Sequence, residues 1–407
     1  TRSRVQVNEM HLPDDTHERL VRETIDRLAR KAPPLAPESI EVPADRYVDP
    51  AFLDREMDVI FRGEPMFLGL SAELPEPGDF LTRELPGAAV LAIRGKDGKV
   101  RAFRNRCRHR GARVAEGSGS ARRFTCPYHA WTYGLDGNLA AIPEGPCFEH
   151  VAKGRDGLEA FGLLDWAGLL FVLPPGLDEA AARRRLQPAM RELECFGFGD
   201  YRVQHTQTKD KATNWKFGVD LFMEGYHVNV LHAQTVGRTL ACNFVLYEDL
   251  GGHTRLVAPR RPFLKEDEAD LMAAPLHRNA IVVYCLFPNT VIACMEQHSE
   301  IHRFDPVPGQ PNRMRWTLWI ASSPVGLERD VDWSHILDIA GGVIEREDLW
   351  MMTGVQANLD AEGPASHLTF GRNEPALHGF HAEIDRVMGV RPAIRTPVLD
   401  RLDDVAA

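Results

Sequence analysis

Two cysteine–histidine pairs stand close together in the first half of the chain. Cys107 and His109 form the first pair, and Cys126 and His129 form the second after an interval of sixteen residues. Zinc sites of the common finger type present a pair of cysteines first and a pair of histidines later. A [2Fe–2S] cluster with two cysteines on one iron and two histidines on the other suits the alternation found here. The spacing therefore favours such a cluster over a structural zinc site.

A second group of possible metal ligands lies in the segment 214–232. The apolar residues of this segment predict a helix. The spacing of Asp220, Glu224 and His227 would place all three side chains on one face of it. His232 lies five residues beyond His227, about 140° further round an ideal helix, so the helix must distort or end between the two imidazoles. Two histidines and one carboxylate form the triad that binds Fe(II) in oxygenases and leaves positions open for O2.

The third ligand of such a triad has to come from another part of the chain. The best candidate is Asp348, in a late acidic segment that is predicted to be helical. Glu347 is the adjacent competitor, and Asp360 is a weaker candidate. Zinc is the chemical rival for this site, but no HExxH arrangement supplies the general base of a zinc protease. The pattern therefore favours mononuclear iron.

The elements that must position these residues divide the chain into three parts. Residues 1–44 predict an N-terminal helical segment that packs on the last part of the chain. Short apolar runs separated by Gly, Pro and Asp predict a small all-β domain over residues 45–175. Residues 176–407 mix strand-like and helical runs, which predicts an antiparallel sheet flanked by helices and an α+β fold class. The predicted helices cover 14–31, 178–194, 214–232, 333–361 and 375–388.

Composition excludes several classes of function. Hydrophobic residues make up 44% of the 407 residues, and no apolar run is long enough for a membrane span. A net charge of −10 argues against nucleic-acid binding, which needs a concentrated positive surface. The N-terminal residues lack the apolar core of a secretory signal, so we expect a cytoplasmic protein. Seven cysteines at irregular spacing predict reduced thiols rather than a disulfide framework.

The sequence around the two cysteine–histidine pairs resembles a known family motif. The stretch RNRCRHRGARVAEGSGSARRFTCPYHAWTYGLDGNL resembles the Rieske motif of the ring-hydroxylating oxygenase family, the alpha or oxygenase subunits of Rieske-type non-haem iron enzymes. This resemblance implies that Cys107, His109, Cys126 and His129 bind a Rieske [2Fe–2S] cluster.

The segment around Asp220 resembles the catalytic domain of the same family. By that resemblance His227, His232 and Asp348 are the iron ligands, and Glu224 occupies the position of an acid that bridges the two metal centres. Many members have Asp at that position. A family-typical Glu after the third ligand is Thr353 here, whereas Glu374 and the Phe380-His381 pair are similar to the family's C-terminal helix.

The resemblance implies a multicomponent oxygenase. Such an enzyme uses O2 and receives its electrons from NAD(P)H through a separate reductase or a ferredoxin, and this chain has no complete GxGxxG fingerprint of its own. The family forms a homotrimer or a hetero-hexamer with a small beta subunit. The implied electron path runs from His129 of one subunit through Glu224 of the next to His227.

The expected reaction is mono- or cis-dihydroxylation of a small, apolar, aromatic or alicyclic molecule. Oxidative N- or O-demethylation is the alternative within the family. The alternative outside the oxygenases is a Rieske electron carrier. Such a carrier would not need the second group of possible metal ligands, in the segment 214–232.

Two further groups of residues bear on partners and substrate. Arginines crowd the cluster motif and either dock an acidic electron donor or pair with acids within the trimer. They are Arg104, Arg106, Arg108, Arg110, Arg113, Arg122 and Arg123. The substrate pocket is expected to include Phe244, Tyr247, Leu250, Tyr284, Phe287 and Met295, with Arg238, Arg255 or Arg260 as possible carboxylate anchors.

Overall fold

The computed structural model describes residues 10–241 and 243–390, together with residues 394, 397 and 399. The chain forms two compact units. The larger takes in the described residues of 1–60, 185–197 and 201–407, and the smaller consists of 61–184 and 198–200.

The observed boundaries differ from the expected ones at 44/45 and 175/176. Residues 45–60 belong to the larger unit because their side chains are buried there: Tyr47 donates a hydrogen bond to Asp220, and Glu56 pairs with Lys216. The second boundary falls within the helix Glu179–Leu193 rather than before it.

The smaller unit is an antiparallel β structure, as predicted. Two of its short strands, Met66–Leu70 and Leu169–Leu173, are buried along their whole length, and a hairpin turn with the left-handed glycine Gly98 joins Ala88–Arg94 to Val100–Arg104. One sheet has the spatial order Met66–Leu70, Leu169–Leu173, Ala160–Trp166, Val100–Arg104, Ala88–Arg94, Asp79–Leu85 and Ser118–Ser120. A second sheet contains Phe124–Thr125, Thr132–Tyr133 and Leu139–Ala141.

The larger unit is built on an antiparallel sheet with helices, which confirms the predicted α+β class. The spatial order of this sheet is Arg202–Lys211, Gln310–Ser322, His298–Val307, Thr290–Cys294, Ala280–Leu286, His253–Pro259 and Leu246–Leu250. Neighbouring strands along the chain pair as hairpins from residue 246 onward, and Arg202–Lys211 pairs with the last strand. A separate pair joins Ile40–Pro43 to His367–Phe370.

Two long helices of the larger unit, Asp14–Arg30 and Pro375–Met388, occupy segments with helical apolar spacing. Besides Glu179–Leu193, which crosses the boundary between the two units, the α-helices of the described residues are Asp14–Arg30, Asp45–Val48, Pro50–Glu56, Trp215–Asp220, Val228–Leu231, Glu268–Ala273, Leu276–Asn279, Pro324–Leu327, Trp333–Leu337, Leu349–Glu362 and Pro375–Met388. Short 3₁₀ turns occur at Ser71–Glu73, Gly145–Cys147, Glu194–Phe196, Phe198–Asp200, Val236–Arg238 and Arg261–Leu264, and π-helical turns at Met57–Phe61 and Asp338–Asp348. Within the residues that the structure describes, none of the helices has the length and apolar character to cross a membrane.

The helix predicted over 214–232 is interrupted, as expected, but the break lies before His227 and not between the two histidines. An α-helix begins after Asn214, whose side chain accepts the N–H of Lys216, and it ends at Asp220. The next seven residues form turns because the Glu224 carboxylate accepts the backbone N–H of His227, as a capping side chain does. A single helical turn, Val228–Leu231, follows.

The cysteines form no disulfide bond within the described part of the chain. Cys107, Cys126, Cys147, Cys195, Cys285 and Cys294 are all free. Cys242 lies outside the described residues.

Candidate metal centres

The two cysteine–histidine pairs sit on loops with the same backbone pattern. The N–H of Gly111 donates to the carbonyl of Cys107 (2.9 Å), and the N–H of Ala130 donates to the carbonyl of Cys126 (3.0 Å). Gly111 and Ala130 are both left-handed, with φ of 81° and 56°. An alanine in this conformation costs about 1 kcal/mol, which indicates that the second loop is held by its surroundings.

These loops separate the sulfur ligands from the nitrogen ligands. Cys107 and Cys126 are each 2% exposed and belong to the core of the smaller unit, whereas His129 is exposed. The rings of His109 and His129 lie 4.6 Å apart, and His109 stacks on Trp131. The thiols thus form the inner side of the site, and the imidazoles form the outer side.

Hydrogen bonds to Cys107 add a residue that sequence reasoning missed. The Tyr133 hydroxyl accepts the N–H of Arg108 (3.0 Å) and lies 3.3 Å from Cys107 Sγ, to which it can donate when the sulfur is a thiolate. Burial raises the pKa of the Cys107 thiol, and the bonds from Tyr133 and the His109 backbone oppose that rise. Donors of this kind tune the potential of an iron–sulfur cluster. The sequence could have indicated this residue, because Tyr133 lies only seven residues after Cys126 in a predicted strand.

The loops fit a cluster of this type. The Nδ1 atom of His109 is buried without a hydrogen-bond partner, and a metal ion would supply the missing contact. Two buried thiols opposite two imidazoles are the donor set of a [2Fe–2S] cluster with mixed ligands.

In the larger unit, His227, His232 and Asp348 come together. One ligand atom from each lies within 4.8 Å of the others. The two histidines flank the helical turn Val228–Leu231, so they stand at its two ends and not on one helical face. Asp348 is the last residue of the π-helix Asp338–Asp348, whose wider turn brings the carboxylate inward.

A carboxylate holds the Nδ1 atom of each imidazole. Glu224 hydrogen-bonds to His227 Nδ1, and Glu347 lies 2.6 Å from His232 Nδ1. The Nε2 atoms therefore face Asp348 Oδ1, at 3.5 Å for His227 and 3.0 Å for His232. Ligating histidines are commonly oriented in this way by a carboxylate on the other nitrogen.

The charges of this group are strongly coupled. Burial alone would lower the pKa of His227, but Asp348 and Glu224 outweigh it and raise the pKa to about 10. Burial also acts against the rise at His232, whose pKa Asp348 and Glu347 nevertheless raise. The pKa of the Asp348 carboxyl is lowered because the two histidines outweigh its burial. The metal-free group thus holds protons that a cation would displace.

The contacts of the three acids proposed for the third ligand position differ, and only one of them faces both histidines. Asp348 faces both imidazoles, and its Oδ2 atom is buried without a partner, an arrangement that fits a metal ion. Glu347 contacts the far side of the His232 ring and accepts the hydroxyl proton of Thr235. Asp360 accepts bonds from Asn312 and Gln356 instead.

Asp220 belongs to a neighbouring buried network. It accepts the Tyr47 hydroxyl proton at 2.8 Å and lies 3.1 Å from His381 Nε2. The role of Tyr47 was missed, because nothing in the sequence connects the segment before residue 60 to residue 220.

A cavity of about 400 Å³ opens beside the three ligand-type residues. Phe244 and Met295 line it as predicted, and so does Arg260. Tyr284 is wrongly placed in the predicted lining, since it is buried and donates to Glu192. Arg255 is not available as an anchor because it pairs with Glu192 and Glu248. The late helical segment supplies walls that were not predicted: Ile336, Ile339, Ala340, Val343 and Ile344.

Comparison with protein families accounts for both units. Residues 64–153 match the Rieske [2Fe-2S] domain, and residues 198–390 match the catalytic domain of ring-hydroxylating alpha subunits. Together the two matches span more than half of the chain. The chain belongs to the Rieske oxygenase alpha subunits. The family prediction and its cofactors, a Rieske [2Fe–2S] cluster and a mononuclear iron, are thus confirmed.

Several relatives of this Rieske oxygenase subunit are named for small nitrogen compounds. It is 35% identical over 191 residues to the carnitine monooxygenase oxygenase subunit of Acinetobacter baumannii, covering 46% of this chain and 51% of that protein. It is 32% identical over 203 residues to the glycine betaine monooxygenase oxygenase subunit of Pseudomonas aeruginosa (48% and 46%), and 30% identical over 217 residues to putrescine 2-hydroxylase of Ralstonia nicotianae (53% and 55%). The match thus spans about half the length of these curated relatives.

Solved structures share the fold. A quaternary ammonium Rieske monooxygenase in complex with L-carnitine has a TM-score of 0.73 at 21% identity, covering 93% of this chain and 99% of that chain. Naphthalene 1,2-dioxygenase from Rhodococcus sp. bound to indole has a TM-score of 0.70 at 19% identity, covering 91% and 98%.

Single replacements of Asp348 and Glu347 can distinguish an iron ligand from a residue that only orients a ligand. We expect Asp348→Ala to weaken Fe(II) binding at the mononuclear site by more than about 100-fold, because the triad loses its carboxylate. Glu347→Ala should weaken it by about 10-fold to 100-fold, because His232 loses the contact that orients its ring. Anaerobic Fe(II) titration of protein lacking the mononuclear iron measures both.

The matched control is Glu345→Gln, on the same π-helix, because Glu345 pairs with Lys209 and Lys211 rather than with a histidine. Its affinity should stay within about threefold of the parent. Retained binding in Asp348→Ala together with lost binding in Glu347→Ala would reverse the assignment.

Proposed function

We propose that this chain is the oxygenase subunit of a multicomponent Rieske oxygenase. It uses O2 and electrons from NAD(P)H, supplied by a separate reductase or ferredoxin, to hydroxylate a small molecule with a largely apolar body. The observation that carries the proposal is the presence of both ligand sets in one chain: the paired cysteine–histidine loops and the group of His227, His232 and Asp348. An electron carrier has no use for the second set.

The proposed roles follow the contacts. Cys107, Cys126, His109 and His129 hold the cluster, and His227, His232 and Asp348 hold the mononuclear iron. When bound, the cluster supplies electrons one at a time and the iron activates O2. Glu224 and Glu347 accept the Nδ1 protons of the two histidines, which leaves each Nε2 atom free of a proton for the metal.

The cavity walls support a substrate with an apolar body. Aliphatic side chains predominate in the lining, among them Leu221, Val228, Leu240, Val283 and Ile339. Such walls exclude water and bind apolar groups through area burial. An aromatic or alicyclic ring stays a prediction, and relatives named for carnitine, glycine betaine and putrescine favour an aliphatic nitrogen compound.

Oxidative removal of an N-methyl group is the second candidate reaction. It is supported by the relatives named for carnitine and glycine betaine, and by the similarity in fold to a quaternary ammonium Rieske monooxygenase. Both candidates use the same two metal centres, so the product and not the site distinguishes them.

Exposed apolar side chains support assembly of several copies, as in the predicted homotrimer. Tyr226, Val230 and Trp350 are 61%, 83% and 66% exposed, and they adjoin the mononuclear ligands along the chain. Tyr128, next to His129, is 55% exposed. Burial of such residues against a second copy would remove them from water and bring its exposed His129 towards Glu224.

The arginines near the cluster support docking of an acidic electron donor. Arg104 and Arg113 pair with Glu159 and Glu84. The other five, Arg106, Arg108, Arg110, Arg122 and Arg123, are exposed. A positive surface of this kind speeds the approach of a negatively charged partner.

Turnover with a surrogate reductase tests the proposed function. We expect the purified protein, NADH and ¹⁸O2 to convert at least one member of a panel of aliphatic amines, betaines and arenes into a product that contains ¹⁸O. Formaldehyde release would identify N-demethylation. His227→Ala should abolish the product while the reductase still reduces the cluster, whereas His367→Ala, at an exposed histidine, should leave turnover unchanged. Cluster reduction with no iron at the mononuclear site and no product from any compound would instead indicate an electron carrier.

Glu224→Gln tests the relay between subunits. Glutamine can still accept the Nδ1 proton of His227, but it removes the negative charge that is proposed to join His227 to His129 of a neighbouring subunit. We expect both metal contents to be unchanged and oxidation of the reduced cluster in a single turnover to slow by at least about 10-fold.

Glu224→Asp, which keeps the charge on a shorter side chain, should restore part of the rate. Unchanged single-turnover kinetics in the Gln variant with both centres loaded would remove Glu224 from the path.

A further inference from the structure

A polar group interrupts the otherwise mainly aliphatic lining of the cavity. His298 and Glu300 both line it, from the strand His298–Val307. Side chains two residues apart point to the same face of a strand, so His302 follows on that face. The group lies outside the proposed iron ligands, and the reaction proposed above does not use it.

Glu300 carries a negative charge in this cavity. Its Oε1 atom lies 3.2 Å from His298 Nε2, and its Oε2 atom lies 3.9 Å from His302 Nε2. Burial acts to raise the pKa of the Glu300 carboxyl, but the two histidines outweigh burial and lower the pKa to about 2. The carboxylate therefore remains ionised near neutral pH.

Hydrogen bonds fix where the imidazole protons lie. Trp316 donates its Nε1 proton to His302 Nδ1 (3.2 Å), so the proton of a neutral His302 ring sits on Nε2, facing Glu300. In its neutral form, the His298 ring donates from Nε2 to the Glu300 carboxylate, and its Nδ1 atom is an acceptor. That Nδ1 atom is buried without a partner, and His298 is only 7% exposed. A buried acceptor without a donor carries a free-energy cost that a ligand can remove.

Glu296, the other acid on this side of the cavity, already has cationic partners. Glu296 lies 2.8 Å from Arg329 and 3.9 Å from Arg278, so two guanidinium groups compensate its charge. Glu300 instead faces two imidazoles. The cavity thus presents an anionic carboxylate and a nearby nitrogen acceptor, both suited to a cation that carries N–H donors.

We propose that Glu300 and His298 bind a protonated primary or secondary amine of the substrate. The ammonium N–H groups donate to the Glu300 carboxylate and to His298 Nδ1, while the apolar body of the molecule contacts the aliphatic walls. A quaternary ammonium has no N–H to donate, and an uncharged alcohol or hydrocarbon leaves the carboxylate uncompensated. This assignment of substrate class rests on the proposed function for the reaction, but the binding step itself does not.

Binding of three probes with one alkyl chain tests the site without turnover. The probes are n-hexylammonium, n-hexyltrimethylammonium and 1-hexanol, titrated into the resting holoenzyme by calorimetry. We expect n-hexylammonium to bind at least about 10-fold more tightly than the other two. Glu300→Gln, which is close in shape, should remove this preference, while the matched variant Glu296→Gln should change it by less than about threefold.

A second variant covers the case in which Glu300→Gln does not fold. His298→Phe keeps a ring in this position and removes the Nδ1 acceptor, so it should weaken n-hexylammonium binding by about threefold to tenfold. Equal binding of the three probes to the parent protein, or preference for the trimethyl probe, would overturn the inference. A preference for n-hexylammonium in a protein that forms no oxygenated product would contradict the proposed function and leave the amine site standing.

Discussion

Two imidazoles can share one metal ion only if their Nε2 atoms face the same point, and most of the larger unit serves that condition. Glu224 and Glu347 each hold an Nδ1 atom, and Asp348 faces both Nε2 atoms. Three carboxylates and two imidazoles in a largely buried place would be unstable as isolated charges. Their mutual pairing raises the pKa values of both histidines and lowers that of Asp348, which stabilises the arrangement before any metal binds.

The chain breaks its regular structure at the places where this condition requires it. A continuous helix would point His227 and His232 in different directions, so the segment unwinds after Asp220 and leaves one turn between the two rings. Asp348 is the last residue of a π-helical stretch, and π-helical turns are common at functional sites. The cluster loops depend on a comparable departure, because Ala130 takes the left-handed conformation that Gly111 takes in the partner loop.

The sequence singled out the candidate ligands but not the residues that support them. Cys107, His109, Cys126 and His129 were proposed as ligands because metal chemistry restricts both residue type and spacing. The strands around them were predicted from short apolar runs separated by Gly, Pro and Asp. The position of the break in the segment 214–232 was missed because the capping bond from Glu224 to His227 depends on side-chain geometry that periodicity does not encode. Contacts between distant segments, such as Tyr47 with Asp220 and Glu347 with His232, were missed or left open for the same reason.

The central claim is that one chain holds two chemically distinct iron centres through two separate sets of side chains. Mössbauer spectroscopy of ⁵⁷Fe-loaded protein, reduced anaerobically, measures this most directly. We expect a Rieske cluster with one localised ferrous site and, in addition, a separate high-spin ferrous signal that disappears in His232→Ala while the cluster signal remains. A spectrum without the separate ferrous signal in the fully loaded parent protein, or loss of the cluster in that variant with the smaller unit intact, would contradict it.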